Sequence, residues 1–320
     1  MVAKPGMGPS SGLTAQVPQF NAADYSRFLV AGGLCATLTH GAMTPIDVIK
    51  TRLQLEPKGS KFTMFSMGRH IVASEGPAGL LTGFGPTAVG YLVQGGLKFS
   101  GFEYFKRAGV QAVGGYENAV AYRTQIHILA AAAAEVIATT ALTPLEAARI
   151  RLVSEHAYAK GLVGAITRMS REQGIKGFYA GYIPILFKQV PYAIGQFATN
   201  EAMHEFVRKT PSLASLGKKG KAGEVTVQLG CGLVAGAAAA VLSHPADTLL
   251  SKINKGGGGA GGMLKKLTLL AKDAGPVGIW AGLGTRTVMT CFLVAGQFLI
   301  YAQIKQAVGA PPGVEIQKAE

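Results

Sequence analysis

The chain has 320 residues, of which 48% are hydrophobic and only 15% are charged, and its mean hydropathy is +0.28. A typical soluble domain carries about 25% charged residues, so this composition excludes an ordinary soluble enzyme and a disordered or coiled-coil protein. Lysine and arginine outnumber aspartate and glutamate by 31 to 17, which gives a net charge of +14. Because the basic residues form no single tract, an anionic membrane surface or an anionic solute is a better partner than nucleic acid.

The cysteines and the N-terminal segment carry no targeting or metal signal. Cys35, Cys231 and Cys291 lie in apolar stretches without CxxC spacing. This set predicts packing residues rather than a disulfide framework or a zinc site, and we expect no metal and no cofactor. Residues 1–21 contain neither an arginine-rich presequence nor an apolar secretory core. We therefore expect the membrane address to lie inside the mature chain.

Six apolar stretches of about 18–20 residues follow, each long enough to cross a membrane as a helix. They cover residues 28–46, 84–102, 125–145, 182–200, 225–246 and 287–304. We therefore predict an all-α membrane protein with six transmembrane helices. An even number of spans places both termini on the same side of the membrane.

Two short phrases recur three times in register along the chain. The first begins at Pro45, Pro144 and Pro245, and an acid stands two positions after each proline. The second begins at one glycine and ends at another, at residues 76–83, 174–181 and 275–282. Three registered copies indicate an internal repeat. In the first phrase, proline kinks the helix, and an acid and a base three positions apart lie near one helix face. In the second phrase, the glycines allow a turn and close packing.

These phrases resemble the mitochondrial carrier family over nearly the whole chain. The resemblance implies three pseudo-repeats, each a transmembrane helix, a short matrix helix and a second transmembrane helix, around a central substrate cavity. It also implies a multi-pass protein of the mitochondrial inner membrane with both termini in the intermembrane space. Inner-membrane lipids, among them cardiolipin, are expected partners, and no obligate protein partner is inferred. The predicted repeats cover residues 22–112, 121–212 and 222–309, and the tails cover residues 1–21 and 310–320.

A few polar side chains inside the spans should determine specificity. Span two carries Gln94 and Lys98. Span four carries Lys188 and Gln189, and span one carries His40. Lysine presents a compact point charge and glutamine donates from its amide, so this set suits a small, strongly hydrated oxyanion. No arginine stands at mid-depth in spans two or four, where it would bind a planar carboxylate through two hydrogen bonds. The combination of an aromatic platform and several arginines, which is expected for a nucleotide, is also absent.

Four longer phrases, at residues 83–87, 90–95, 187–192 and 244–248, resemble the phosphate-transporting members of the family. This closer resemblance implies electroneutral entry of inorganic phosphate with a proton into the matrix, by alternating access. It places His40, Lys188 and Gln189 at substrate contacts. Gly90 occupies the usual contact in span two, so the expected ligands there shift along the helix to the glutamine and lysine of that span.

Three titratable residues are candidates for proton coupling. His40 and Glu135 lie at cavity depth in spans one and three, without an obvious local partner in the sequence. Isolated ionisable groups at such depth are costly in lipid and are usually functional. Glu146 belongs to the second proline phrase, and we expect it to couple a proton to closure of the gate described next.

The family pairs each acid of the proline phrase with a base from the next odd span, which forms a gate on the matrix side. Asp47 is expected to pair with Arg149, and Asp247 with Lys50. The partner position of Glu146 holds a leucine, so we expect Glu146 to lack its own counter-charge. The complete predicted matrix gate, including a glutamine brace, consists of Asp47, Lys50, Gln54, Glu146, Arg149 and Asp247.

A second, weaker gate is predicted at the outer side. The family phrase there is an aromatic residue, an acid and, three positions later, a base. The third copy has alanine at position 302 in place of the acid, and the second has histidine at position 204 in place of the base. A weak outer gate lowers the barrier to opening outward. The predicted members are Glu103, Lys106, Glu201 and Lys305.

Two other functions remain open at this stage. One is a carrier of another small anion, such as a dicarboxylate, sulfate or an oxo acid. The other is a receptor or scaffold that keeps the carrier packing but does not transport, although a scaffold has no need for charges at mid-depth. An enzyme is disfavoured because the sequence shows no nucleophile–base pair, metal cluster or phosphate-cradling loop.

Overall fold

A computed structural model describes residues 18–55, 62–155, 158–217, 219–254, 263–280 and 282–316. Within these residues the secondary structure is helical, without strands. Six long helices are α1 (Ala22–Leu55), α3 (Phe84–Ala112), α5 (Arg123–Ser154), α7 (Tyr182–Lys209), α9 (Lys221–Asn254) and α11 (Leu283–Ala307). Shorter helices are α2 (Met64–Glu75), α4 (Tyr116–Ala121), α6 (Gly161–Phe178), α8 (Pro211–Gly217) and α10 (Met263–Gly278), and a 3-10 turn covers Pro77–Leu81.

The six long helices form a closed ring in sequence order. Each packs against the next, and α11 returns to α1. Each of the six predicted spans lies inside one of these helices, which confirms the all-α class and the number of long elements. Four of them, α1, α5, α9 and α11, contain segments that are long and apolar enough to cross a membrane by length and composition.

Three short helices lie at one end of the ring. α2 packs on α1, α6 on α5 and α10 on α9, each in the connection between two long helices of one repeat. We call this the connector end. Because the chain enters α1 and leaves α11 at the opposite end, we call that the termini end. It also holds α4 and α8, which join one repeat to the next.

The three prolines of the repeated phrase lie inside helices rather than at their ends. Pro45 is inside α1, Pro144 inside α5 and Pro245 inside α9. Each helix continues for about two to three turns beyond its proline. These helices therefore extend beyond the predicted spans, which end at the proline phrases. A proline removes only one helical hydrogen bond, and the residues after it can resume the helix.

The glycine that opens the second phrase has the same backbone conformation in each repeat. Gly76, Gly174 and Gly275 have φ of 78°, 61° and 65°, with ψ of 175°, −164° and 175°. This region of φ and ψ is accessible almost only to glycine. A Cβ at any of the three would meet no atom within 4 Å, so the requirement lies in the backbone and not in packing.

The closest helix contacts also depend on glycine. A Cβ at Gly95 in α3 would lie 2.4 Å from the Cβ of Ala36 in α1. A Cβ at Gly236 in α9 would lie 2.5 Å from the Cα of Cys291 in α11. Small residues let membrane helices approach until their backbones touch, which supplies van der Waals contact where lipid offers no hydrophobic driving force.

We expect Gly174→Ala to lower the free energy of unfolding by about 1–3 kcal/mol, the usual cost of a strained backbone conformation. Gly181→Ala is the matched control, since Gly181 closes the same phrase with φ of −92° and an added Cβ would make an ordinary 3.7 Å contact. The measurement is denaturant unfolding of the detergent-solubilised protein. Equal losses in the two variants would contradict the backbone explanation.

Candidate functional site

A buried polar cluster lies between α3 and α5. Glu135 is fully buried, and its Oε1 accepts hydrogen bonds from Gln94 Nε2 at 2.9 Å and Thr139 Oγ1 at 2.8 Å. Its Oε2 lies 3.1 Å from Lys98 Nζ. We call these four residues the mid-bundle cluster. The structure thus brings together three predicted residues from two helices, and it adds a threonine that the sequence analysis did not select.

Lys98 does not extend toward the surface. Only 5% of the residue is exposed, and its Nζ lies 5.2 Å from the ring centre of Tyr192 and 5.5 Å from that of Phe197. Aromatic faces stabilise a cation that has been removed from water. Removing either member of a buried ion pair leaves an uncompensated charge, which costs far more than the pair itself contributes. The lysine is therefore held inside the bundle by Glu135 and two rings.

The remaining predicted substrate contacts lie closer to the connector end. The His40 ring stacks on Tyr91 with centroids 3.7 Å apart and planes at 6°. Lys188 and Gln189 are half-buried, and their side chains form no ion pair or hydrogen bond with any described residue. A half-buried lysine without an anionic partner is a natural contact for a bound anion.

Arg149 carries the best-formed contact of the predicted matrix gate, at the connector end. Its Nη2 lies 2.9 Å from Asp47 Oδ2, which joins α5 to α1 as predicted. Its Nη1 lies 3.0 Å from Glu146 Oε1 on the same helix. The expectation that Glu146 lacks a counter-charge is therefore wrong. One arginine side chain has enough donors to bind both carboxylates, so Glu146 has a counter-charge although position 250 carries no base.

Asp247 pairs with a different cation from the one predicted. It forms an ion pair with Arg286 of α11, and Arg286 Nη2 also donates to Ser243 Oγ at 2.9 Å. Lys50 is exposed and forms no ion pair with a described residue. The predicted Asp247–Lys50 pair is thus replaced, because α9 and α11 pack against each other and a base on α11 is nearer. The side chain of Gln54, the predicted brace, lies outside the part of the chain that the structure describes.

Three of the four predicted outer-gate residues meet at the termini end. Lys106 is 1% exposed, and its Nζ lies 2.7 Å from Glu201 Oε1 and 3.0 Å from Glu103 Oε1. The pair with Glu201 joins α3 to α7. Lys305 does not enter this network. Its Nζ lies 5.3 Å from the centre of the Phe28 ring instead. We call Glu103, Lys106 and Glu201 the termini-end gate.

A layer of aromatic rings separates the mid-bundle cluster from the termini-end gate. The Phe99 ring lies 5.1 Å from Phe197 and 4.2 Å from Tyr301, and Phe102 lies 4.4 Å from Phe197. Along α3 the order is Lys98, then the two phenylalanines, then Lys106. The layer joins α3, α7 and α11, and it closes this end of the bundle. This layer was not predicted, although Phe102 and Tyr301 begin two of the three outer-gate phrases.

We expect Asp247→Asn and Arg286→Gln to be energetically coupled, with a double-mutant coupling of about 0.5–3 kcal/mol, because the side chains are in contact. Asp247→Asn and Lys50→Gln should instead be additive within about 0.5 kcal/mol, as expected for residues that share no contact. Denaturant unfolding of the detergent-solubilised variants gives both cycles. A coupling to Lys50 as large as that to Arg286 would refute the observed pairing.

Comparison with known proteins bears on the family. The sequence profile of the family described as "Mitochondrial carrier protein" matches residues 22–111, 121–211 and 221–311. The chain is 44% identical to "Mitochondrial substrate carrier family protein N" of Dictyostelium discoideum, over 90% of this chain and 96% of that protein. It is 36% identical to "Phosphate carrier protein, mitochondrial" of Caenorhabditis elegans, over 92% and 84% respectively, and 35% identical to "Solute carrier family 25 member 3" of Homo sapiens, over 93% and 82%. The chain therefore belongs to the mitochondrial carrier protein family.

Proposed function

We propose that this protein transports inorganic phosphate across the mitochondrial inner membrane into the matrix, together with a proton. The observation that carries the proposal is the buried Lys98–Glu135 pair, together with Lys188, which has no ion pair among the described residues. Relatives named as phosphate carriers in Caenorhabditis elegans and Schizosaccharomyces pombe support the choice of substrate. The family consists of transporters, so we do not propose an enzymatic activity.

The cationic side chains suit a compact oxyanion. Lys188 supplies a charge with no protein partner among the described residues, and Gln189 beside it supplies an amide donor. Lys98 and Gln94 supply the same chemistry from α3, but both already hold Glu135. A phosphate that binds both lysines therefore competes with this carboxylate for Lys98. Such competition connects binding of the anion to the state of the carboxylate.

That competition gives a reason for proton coupling. A buried carboxylate without its counter-charge is unstable in an apolar bundle, and uptake of a proton removes the charge. In the proposed cycle, Glu135 takes a proton when phosphate occupies Lys98 and returns it when phosphate leaves. His40 is proposed to pass the proton toward the connector end, where Glu146 stands at the gate. Phosphate and proton then move in the same direction, which is equivalent to exchange for hydroxide.

Alternating access requires that the two ends open in turn. At the termini end the aromatic layer and the Lys106–Glu201 pair oppose opening. At the connector end the Asp47–Arg149 pair does so. We propose that the termini end faces the intermembrane space and the connector end faces the matrix, as the family resemblance implies. Inner-membrane lipids, cardiolipin among them, remain proposed partners on the outer surface of the ring.

A specific observation supports one alternative, a carrier of a different small anion. The relative from Dictyostelium discoideum, at 44% identity, is named only as a substrate carrier. A carrier of sulfate, a dicarboxylate or an oxo acid could use the same two lysines.

Purified protein in liposomes distinguishes these possibilities. Radiolabelled phosphate should accumulate when the interior is alkaline, and excess unlabelled phosphate should suppress uptake far more than sulfate, malate or ADP. Preferential uptake of another anion would refute the phosphate assignment.

We expect Lys188→Gln to lower phosphate–phosphate exchange by about 10- to 100-fold, the loss expected from one hydrogen bond to a charged group. Lys188→Arg should also be impaired, because a bulky fork replaces a compact charge. The matched control is Lys176→Gln, which removes an exposed lysine from α6. Exchange is measured in liposomes after the folded fraction has been checked by gel filtration. Full exchange by the folded Lys188→Gln protein would remove this lysine from the site.

We expect Glu135→Gln to abolish uptake driven by a pH gradient while it preserves more of the phosphate–phosphate exchange. The amide keeps the size and part of the hydrogen bonding of the carboxylate, but it cannot carry the proton. Glu117→Gln on the exposed face of α4 is the control. The ratio of the two rates is the informative quantity. An equal loss of uptake and exchange would indicate a defect in binding or folding and would contradict the coupling role.

A further inference from the structure

The chain beyond α11 crosses the termini end of the bundle. After α11 ends at Ala307, residues 310–316 reach α3, and we call them the C-terminal strap. Val314 is fully buried and Ile316 is 4% exposed. Both belong to an apolar cluster that draws on the N-terminal segment and on α1, α3, α4 and α5. The other buried members of this cluster are Phe20, Phe28, Val110, Ala119 and Ile126.

The backbone of the strap binds two residues of the termini-end gate. The Val314 N–H donates to Glu103 Oε2 at 2.7 Å, and Lys106 Nζ donates to the Val314 carbonyl at 2.9 Å. The approach is close at the preceding residue, since a Cβ at Gly313 would lie 2.6 Å from Glu103 Oε1. The gate lysine therefore holds the strap and the Glu201 carboxylate at the same time.

The strap also borders a cavity. A space of about 500 Å³ lies between the strap and the aromatic layer. The termini-end gate lines it together with Asn200 and Lys305. The strap and the termini-end gate therefore face the same cavity, and the aromatic layer lies between this cavity and the mid-bundle cluster.

The strap occupies the place where the repeat pattern is deficient. Position 302 is alanine where the other two gate phrases carry an acid, and Lys305 contacts a ring rather than a carboxylate. α11 therefore adds no ion pair to the termini-end gate among the described residues. The segment that follows α11 instead contributes an N–H and a carbonyl to the gate residues of α3.

We propose that the C-terminal strap is a latch that holds the termini end closed and must detach before a solute can enter from that side. Its apolar anchor fixes it against the ring, and its backbone holds Glu103 and Lys106 in the closed arrangement. Detachment removes the hydrogen bonds of the strap to both side chains and opens the cavity. The proposal concerns access to the bundle and does not depend on which solute is carried.

The test measures access to the cavity instead of transport. Asn200→Cys places a thiol in the cavity wall behind the strap, and its labelling by a membrane-impermeant maleimide is followed in detergent-solubilised protein. The same cysteine is combined with Val314→Ser and Ile316→Ser, which remove the apolar anchor. Pro312→Ala, at an exposed strap position outside the apolar cluster, is the matched control. Protein without Asn200→Cys gives the background from the three native cysteines.

We expect the anchor variant to be labelled at least about tenfold faster than the parent, because buried aliphatic side chains supply most of the holding energy. The Pro312→Ala protein should be labelled at the parental rate. A chain that ends at Gly309 should show the largest increase. Should that truncated chain fail to fold, the full-length anchor variant still decides the question. An unchanged labelling rate in the folded anchor variant would overturn the proposal.

Discussion

The constraint on which the site depends is that a charge inside an apolar helix ring needs a partner. Glu135 and Lys98 satisfy it through each other, and Gln94 and Thr139 complete the hydrogen bonding of the carboxylate. This arrangement requires α3 and α5 to be neighbours at a fixed rotation, which the glycine-mediated packing of the ring maintains. A species that takes Lys98 from Glu135 therefore leaves a buried carboxylate without its counter-charge.

The backbone repeats more faithfully than the charges. Gly76, Gly174 and Gly275 share one conformation, but among the described residues each gate has only two ion pairs between its predicted members. At each end the deficit is met from a neighbouring element. Arg286 of α11 serves Asp247, and the backbone of the strap serves the gate residues of α3. A bundle can lose a gate residue when a nearby donor satisfies the group that remains, since the main cost arises from a buried polar group left unpaired.

The sequence was sufficient for what depends on register. The six long helices and the proline and glycine phrases follow from position along a repeating chain, and the Asp47–Arg149 pair follows from the family resemblance. The partners of Asp247 and Glu146 did not follow, because register gives depth but not which of several nearby side chains is closest. The contacts of the strap could not be predicted from the sequence for another reason. Its contacts with the gate use the N–H and carbonyl of Val314, which every residue except proline possesses, so they leave no mark in the sequence.

The two ends of the ring are closed by unequal means. The termini end has rings from three helices, an ion pair between α3 and α7, and the strap above them. The connector end has the Asp47–Arg149 pair between α1 and α5, while the Asp247–Arg286 pair joins helices that already pack along their length. Among the described residues, opening the connector end therefore breaks fewer of these contacts.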